Sequence, residues 1–127
     1  MFSVVMVDDH REISQLLGLV LRHPAVDLHA AQDGQEGLDL IQQVQPDLIL
    51  LDVMMPGMSG WEVYDTVRAD PRFSQTPIII LTVVPPHAVQ RRRFPDGAHD
   101  LYVTKPFDTL VLRREIERLL GGVSLWN

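Results

Sequence analysis

Four aliphatic runs in this chain break off at a polar residue that a strand does not need. Residues 3–7 run into Asp8 and Asp9, 48–51 into Asp52, 78–81 into Thr82, and Tyr102-Val103 into Thr104 and Lys105. With a fifth run at 26–31, short β-branched and aliphatic segments alternate with longer stretches of helical periodicity, and no internal sequence repeat underlies the pattern. Near-continuous apolar runs fit strands buried on both faces. The alternation therefore specifies a parallel sheet covered by helices on both sides, a doubly wound α/β domain. Right-handed crossovers leave few topologies, and the order 2-1-3-4-5 is expected by analogy with known five-stranded folds.

The strands are expected at 3–7, 26–31, 47–51, 77–81 and 100–103. Between the first two, Ile13, Leu16, Leu17, Val20 and Leu21 share one broad apolar stripe, and Pro24 stops the helix. A second helix at about 35–44 follows the Asp33-Gly34 turn and closes at Pro46. A third starts near Ser59, an N-cap residue type, and directs Trp61, Tyr64 and Val67 inward. The last, at about 108–120, places Leu112, Ile116, Leu119 and Leu120 on one face before Gly121 and Gly122. The fourth connection, PPHAVQRRRFPDGAH, has no convincing period, so its helix is expected to be short.

The 127 residues suit one domain with its own core. No apolar run approaches the ~20 residues needed to span a bilayer, and the N-terminus lacks the basic region of a secretory signal, so a cytoplasmic location is expected. Without cysteines, disulfides, thiolate zinc sites and cysteine nucleophiles are excluded. Eleven Lys and Arg against 17 Asp and Glu give a net charge of −6, which argues against direct nucleic-acid binding. The cluster Arg91-Arg92-Arg93 reads as a solvated face.

In a doubly wound sheet, ligands bind at the carboxyl ends of the strands near the reversal in strand order, so the polar strand ends should meet. The resulting site holds three carboxylates, one hydroxyl and one ammonium. Carboxylates that close repel one another unless a cation sits between them. Hard oxygen ligands suit Mg²⁺ or Mn²⁺ rather than zinc. A bound dication would attract a phosphoryl group whose oxygens Lys105 and Thr82 could share, which leaves one carboxylate free to act as nucleophile.

The segments VVMVDDH, LLDVMMPGMSG, IIILT and VTKPF, in this order and spacing, resemble the receiver domain of two-component response regulators over residues 4 to about 120. The resemblance implies a flavodoxin-like (βα)5 fold and a signalling switch similar to a single-domain chemotaxis regulator. Asp52 would accept the phosphoryl group from a histidine kinase. Asp8, Asp9, Asp52 and the backbone carbonyl of Met54 would hold Mg²⁺, with Mn²⁺ able to substitute. Lys105 would hold phosphoryl oxygens, Thr82 would move to bond them, and Tyr102 would follow inward as the switch aromatic. The Lys105-Pro106 bond would be cis. Partners would be a sensor histidine kinase or phosphotransfer protein, a downstream protein, and a second copy through the face made by the fourth connection, the fifth strand and the last helix. Residues 1–122 would form the receiver, 123–127 a tail, with no output domain; its chemistry would be limited to its own phosphorylation and dephosphorylation.

Plainer readings stand beside these. Asp8 or Asp9 could cap the helix that starts near His10, Thr82 and Tyr102 could be strand residues, and His10 fits a surface position in a first helical turn. Pro56 and Gly57 read as turn residues, and Met58 as packing. Three departures from the family pattern concern detail. Val83 stands where a small residue is usual and could narrow the path to Asp52. Met54 and Val84 are apolar where faster-hydrolysing receivers often carry polar side chains, which implies a long-lived phosphoryl state. Pro85-Pro86 and the spacing from Gly97 to Lys105 make the output face unusual. A phosphatase-like hydrolase would need a second acid at position 54, and a flavin-binding module would need a phosphate loop where Asp8 and Asp9 stand. The remaining alternative is a pseudo-receiver that works as an interaction module without phosphorylation.

Overall fold

The computed structural model describes residues 1–83 and 99–126. In chain order the elements are β1 (Phe2–Val7), α1 (Arg11–Val20), β2 (Val26–Ala31), α2 (Gly34–Val44), β3 (Leu48–Leu51), α3 (Gly60–Ala69), a 3₁₀ turn (Pro71–Phe73), β4 (Ile78–Thr82), β5 (Asp100–Thr104) and α4 (Thr109–Leu119). The five strands form one sheet in the order β2-β1-β3-β4-β5, all pairs parallel. Each observed strand lies within one residue of its expected bounds. The fourth connection, with Val84, Pro85, Pro86, Arg91, Arg92, Arg93 and Gly97, lies outside the described residues.

Side-chain alternation along the strands builds two cores, because successive residues point to opposite faces. Val5, Val7, Ile49, Leu51, Ile78 and Ile80 pack on one face against α2 and α3 residues such as Ile41, Val63 and Val67. Val4, Met6, Leu48, Leu50, Ile79 and Leu81 pack on the other against Leu17, Leu112 and Ile116 of α1 and α4. Every residue of β3 and β4 is buried, as strands central to a doubly covered sheet must be.

Local chemistry fixes the helix ends. Asp33 accepts from the Glu36 N–H at 2.8 Å, and Gln45 leaves α2 in the left-handed region (φ +50°) just before Pro46. Ser59 caps α3 through the Glu62 N–H at 3.4 Å, and Asp108 caps α4 through the N–H groups of Leu110 and Val111. Gly121 and Gly122 both have positive φ and end α4. Some residues expected on the inward stripes sit farther out, with Ile13, Leu119 and Leu120 half-buried at the margin of the core. Leu16 is exposed and Trp61 half-buried, because each helix turns its stripe to the sheet through fewer positions: Leu17, Val20 and Leu21 in one, Val63, Tyr64 and Val67 in the other. The chain after α4 turns back on the domain: Glu117 accepts from the N–H groups of Leu125 (2.6 Å) and Trp126 (3.2 Å), and Trp126 Nε1 donates to the Arg22 carbonyl (3.2 Å). Among the described residues no helix is long and apolar enough to cross a membrane.

Candidate functional site

The parallel ladder continues one residue beyond the strands and so brings the polar ends together. The Asp8 N–H donates to the Ala31 carbonyl (3.1 Å), the Asp52 N–H to Val7 (2.9 Å), and the Lys105 N–H to Thr82 (2.7 Å). These bonds register the ends of β2, β1 and β3 and of β4 and β5, and the pairing of Leu51 with Ile80 joins the two groups along one edge. The Lys105-Pro106 peptide is cis, as expected. Lys105 Nζ then donates to Asp8 Oδ2 at 2.7 Å and to Asp52 Oδ2 at 3.1 Å.

The two carboxylates are buried, each 3% exposed, and their remaining oxygens accept from the turn that follows each. Asp52 Oδ1 takes the Met54 N–H at 2.9 Å, and Asp8 Oδ1 takes the His10 N–H at 2.8 Å. This second bond explains why Asp8 resembles a helix cap in sequence: it does bind the chain entering α1, while its other oxygen faces Lys105. Asp9 is less buried. Its Oδ1 is shielded from solvent and receives no hydrogen bond, although His10 Nδ1 lies 3.1 Å away at a poor angle. Two carboxylates thus share one ammonium, and a third stands beside them without it. Ligand atoms of Asp8, Asp9, His10 and Asp52 all lie within 4.8 Å of one another. An orphaned buried carboxylate oxygen beside two others is the donor set a hard dication fits.

Thr82 and Tyr102 lie on neighbouring strands beside this cluster. Thr82 is fully buried at the end of β4, opposite Thr104 in register. Tyr102 is partly buried opposite Ile80. Burial raises the pKa of its hydroxyl, and the negative charge of Asp52 raises it further, which places the ring within electrostatic reach of that carboxylate. At the rim, Met54 is 55% and Val83 60% exposed. Gly57 turns the loop at φ +75°, a conformation suited to glycine.

Sequence reasoning passed over Gly60. A Cβ there would stand 2.1 Å from the Asp52 carbonyl oxygen and 2.5 Å from Val53 Cα, so only glycine lets α3 begin against the backbone that carries Asp52. A glycine directly after an N-cap serine, eight residues past a strand-end aspartate, was the available signal. Of the seven residues expected to form the site, Asp8, Asp9, Asp52, Met54, Thr82 and Lys105 lie at this edge, and Tyr102 stands two residues before the end of β5, opposite Ile80.

Comparison with known proteins agrees with this fold. Residues 4–117 match the family model of the response regulator receiver domain. The DNA-binding dual master transcriptional regulator RpaA of Synechocystis sp. is 36% identical over 117 residues, 92% of this chain; the chain spans about half (48%) of that relative's length. Among solved structures, the chemotaxis protein CheY4 of Vibrio cholerae is 30% identical with a TM-score of 0.81, covering 94% of this chain and 98% of its own. The signal receiver domain of a histidine kinase from Syntrophus aciditrophicus is also 30% identical, with a TM-score of 0.83 over 98% and 93%.

Proposed function

This chain belongs to the response regulator receiver domain family, and on that premise we propose that it is a phosphoryl-accepting switch of a two-component system, modified on Asp52. The observation that supports this reading most is the pair of hydrogen bonds that Lys105 Nζ donates to Asp8 and Asp52 beside an orphaned Asp9 oxygen. A carboxylate oxygen of Asp52 would attack the phosphorus of a phosphohistidine on a sensor kinase or phosphotransfer protein. The O–P bond forms as the P–N bond breaks, and the leaving imidazole takes up a proton. Lys105, already seated against Asp52, would follow the phosphoryl oxygens and offset their charge. Thr82 would donate its hydroxyl to a phosphoryl oxygen, and Tyr102, on the adjacent strand, would move inward with it.

Mg²⁺, or Mn²⁺ in its place, held by Asp8, Asp9, Asp52 and the Met54 carbonyl, would supply the positive charge that three carboxylates and a phosphoryl group require. The site's chemistry is self-modification rather than turnover of a separate substrate. We place the receiver at residues 1–122, the tail at 123–127 and the protein in the cytoplasm, with a downstream protein rather than nucleic acid or membrane as its target. A second copy would meet the face of β5 and α4. The apolar, exposed Met54 would orient no attacking water, so the phosphoryl state should be long-lived; a half-life of seconds would contradict this. The reading as a whole is tested by incubating the protein with Mg²⁺ and a small phosphodonor or cognate kinase and measuring intact mass. A phosphoryl adduct that disappears in Asp52→Asn supports it, and no adduct with any donor leaves a pseudo-receiver.

A further inference from the structure

His10 contributes an imidazole to the acidic cluster that the proposed phosphoryl transfer does not use. It occupies the N-cap position of α1 yet makes no capping hydrogen bond with its side chain. Its Nδ1 turns to the carboxylates instead, 3.2 Å from Asp8 Oδ1 and 3.1 Å from Asp9 Oδ1. One ring nitrogen of His10 and one oxygen each of Asp8, Asp9 and Asp52 fall within 4.8 Å of one another. The ring is 57% exposed, so packing does not dictate this placement.

A nitrogen in that position can act in two ways. As a hydrogen-bond donor it would merely order Asp8 and Asp9, and every dication would feel its loss alike. With its lone pair turned inward it would ligate the cation. Mg²⁺ prefers oxygen ligands and keeps its waters, whereas Mn²⁺, Co²⁺ and Ni²⁺ accept imidazole, increasingly along that series. We propose that His10 is a nitrogen ligand of this site and shifts its selectivity from Mg²⁺ toward imidazole-accepting first-row dications. The inference rests on the reading of the carboxylate cluster as a dication site.

Calorimetric titration of the full chain with Mg²⁺ and with Co²⁺, in wild type and His10→Ala, tests the selectivity. Co²⁺ affinity should fall about tenfold or more in His10→Ala, while Mg²⁺ affinity stays within about twofold. Pulsed electron paramagnetic resonance of the Mn²⁺-loaded protein should show nitrogen coupling in wild type and none in His10→Ala. Equal losses for Mg²⁺ and Co²⁺, or no nitrogen coupling in wild type, would overturn the ligand role. Asp9→Asn separates the two failures. If Mg²⁺ binds wild type but not Asp9→Asn while His10→Ala binds Co²⁺ normally, this inference alone fails; if wild type binds no dication, the underlying site fails with it.

Discussion

The two ends of the sheet each set buried carboxylates against one side-chain cation, and they differ in how the charges balance. At the start of β5, Asp100 accepts from Arg68 Nη2 at 2.5 Å and from the Tyr64 hydroxyl at 2.8 Å, while Arg68 Nη1 donates to the Phe73 carbonyl at 2.8 Å. One carboxylate meets one guanidinium, and the network closes. At the other end, Lys105 faces Asp8 and Asp52, with Asp9 beside them and one of its oxygens orphaned. A closed network holds α3 to β5 and asks for nothing more. A surplus of carboxylates costs stability until positive charge arrives, and this is the end at which we propose that a ligand binds.

The largest effect should come from Gly60→Ala. Backbone atoms of Asp52 and Val53 block the new methyl and cannot swing away, so stability should fall by more than about 3 kcal/mol in urea unfolding. Gly18→Ala, which meets nothing within 4 Å, should instead leave stability unchanged or higher. Next come the two cations. Arg68→Met and Lys105→Met each strand a buried carboxylate and should each cost about 3 kcal/mol. Added Mg²⁺ should restore the Lys105 variant and leave the Arg68 variant where it was. Equal rescue of both, or of neither, would erase the distinction between the two ends.

The closed network also has a pH signature. Burial, and then the hydrogen bond to Asp100, push the Tyr64 hydroxyl up to about 12. A raised folded value means stability is fully present below the unfolded tyrosine value of about 10 and is lost as pH rises from there toward 12. Absorbance at alkaline pH should show Tyr64 ionising well above the unfolded value of about 10, with Tyr102 displaced in the same direction by its burial and the Asp52 charge, and both shifts abolished in urea. The smallest effect belongs to Asp9→Asn. It removes one repelling charge and no hydrogen bond to Lys105, so metal-free stability should not fall and should stay within about 0.5 kcal/mol of wild type. A clear loss would mean that Asp9 is a structural cap rather than part of the surplus.

Much of this was legible in the sequence, for physical reasons. A strand buried on both faces is nearly all apolar, so Asp52 announced where β3 stops, while Thr104 and Lys105 broke the short apolar run of the half-buried β5, and the fold's strand order implied that such ends meet. Turn and cap residues such as Asp33, Ser59 and Gly121 act locally and could be placed by type. What stayed hidden depends on distant partners. Asp100 reads as the first residue of a strand until Arg68 and Tyr64 are seen beside it, 32 and 36 residues away in sequence. Gly60 looks like any helix-start glycine until the Asp52 carbonyl appears against it. Residues 123–127 read only as a tail, although Trp126 packs under Arg113 and bonds the Arg22 carbonyl. Leu16 shows the converse error, since an apolar residue on a stripe need not reach the core.

The most direct measurement locates the modified atom. After exposure to Mg²⁺ and a small phosphodonor, borohydride reduction converts an aspartyl phosphate to homoserine, which peptide mass spectrometry assigns to a position. The expected result is homoserine in place of Asp52 alone, and none when Mg²⁺ is withheld. Label at Asp8, Asp9 or any residue outside the cluster, or labelling that ignores the dication, would contradict the assignment of Asp52 as the phosphoacceptor.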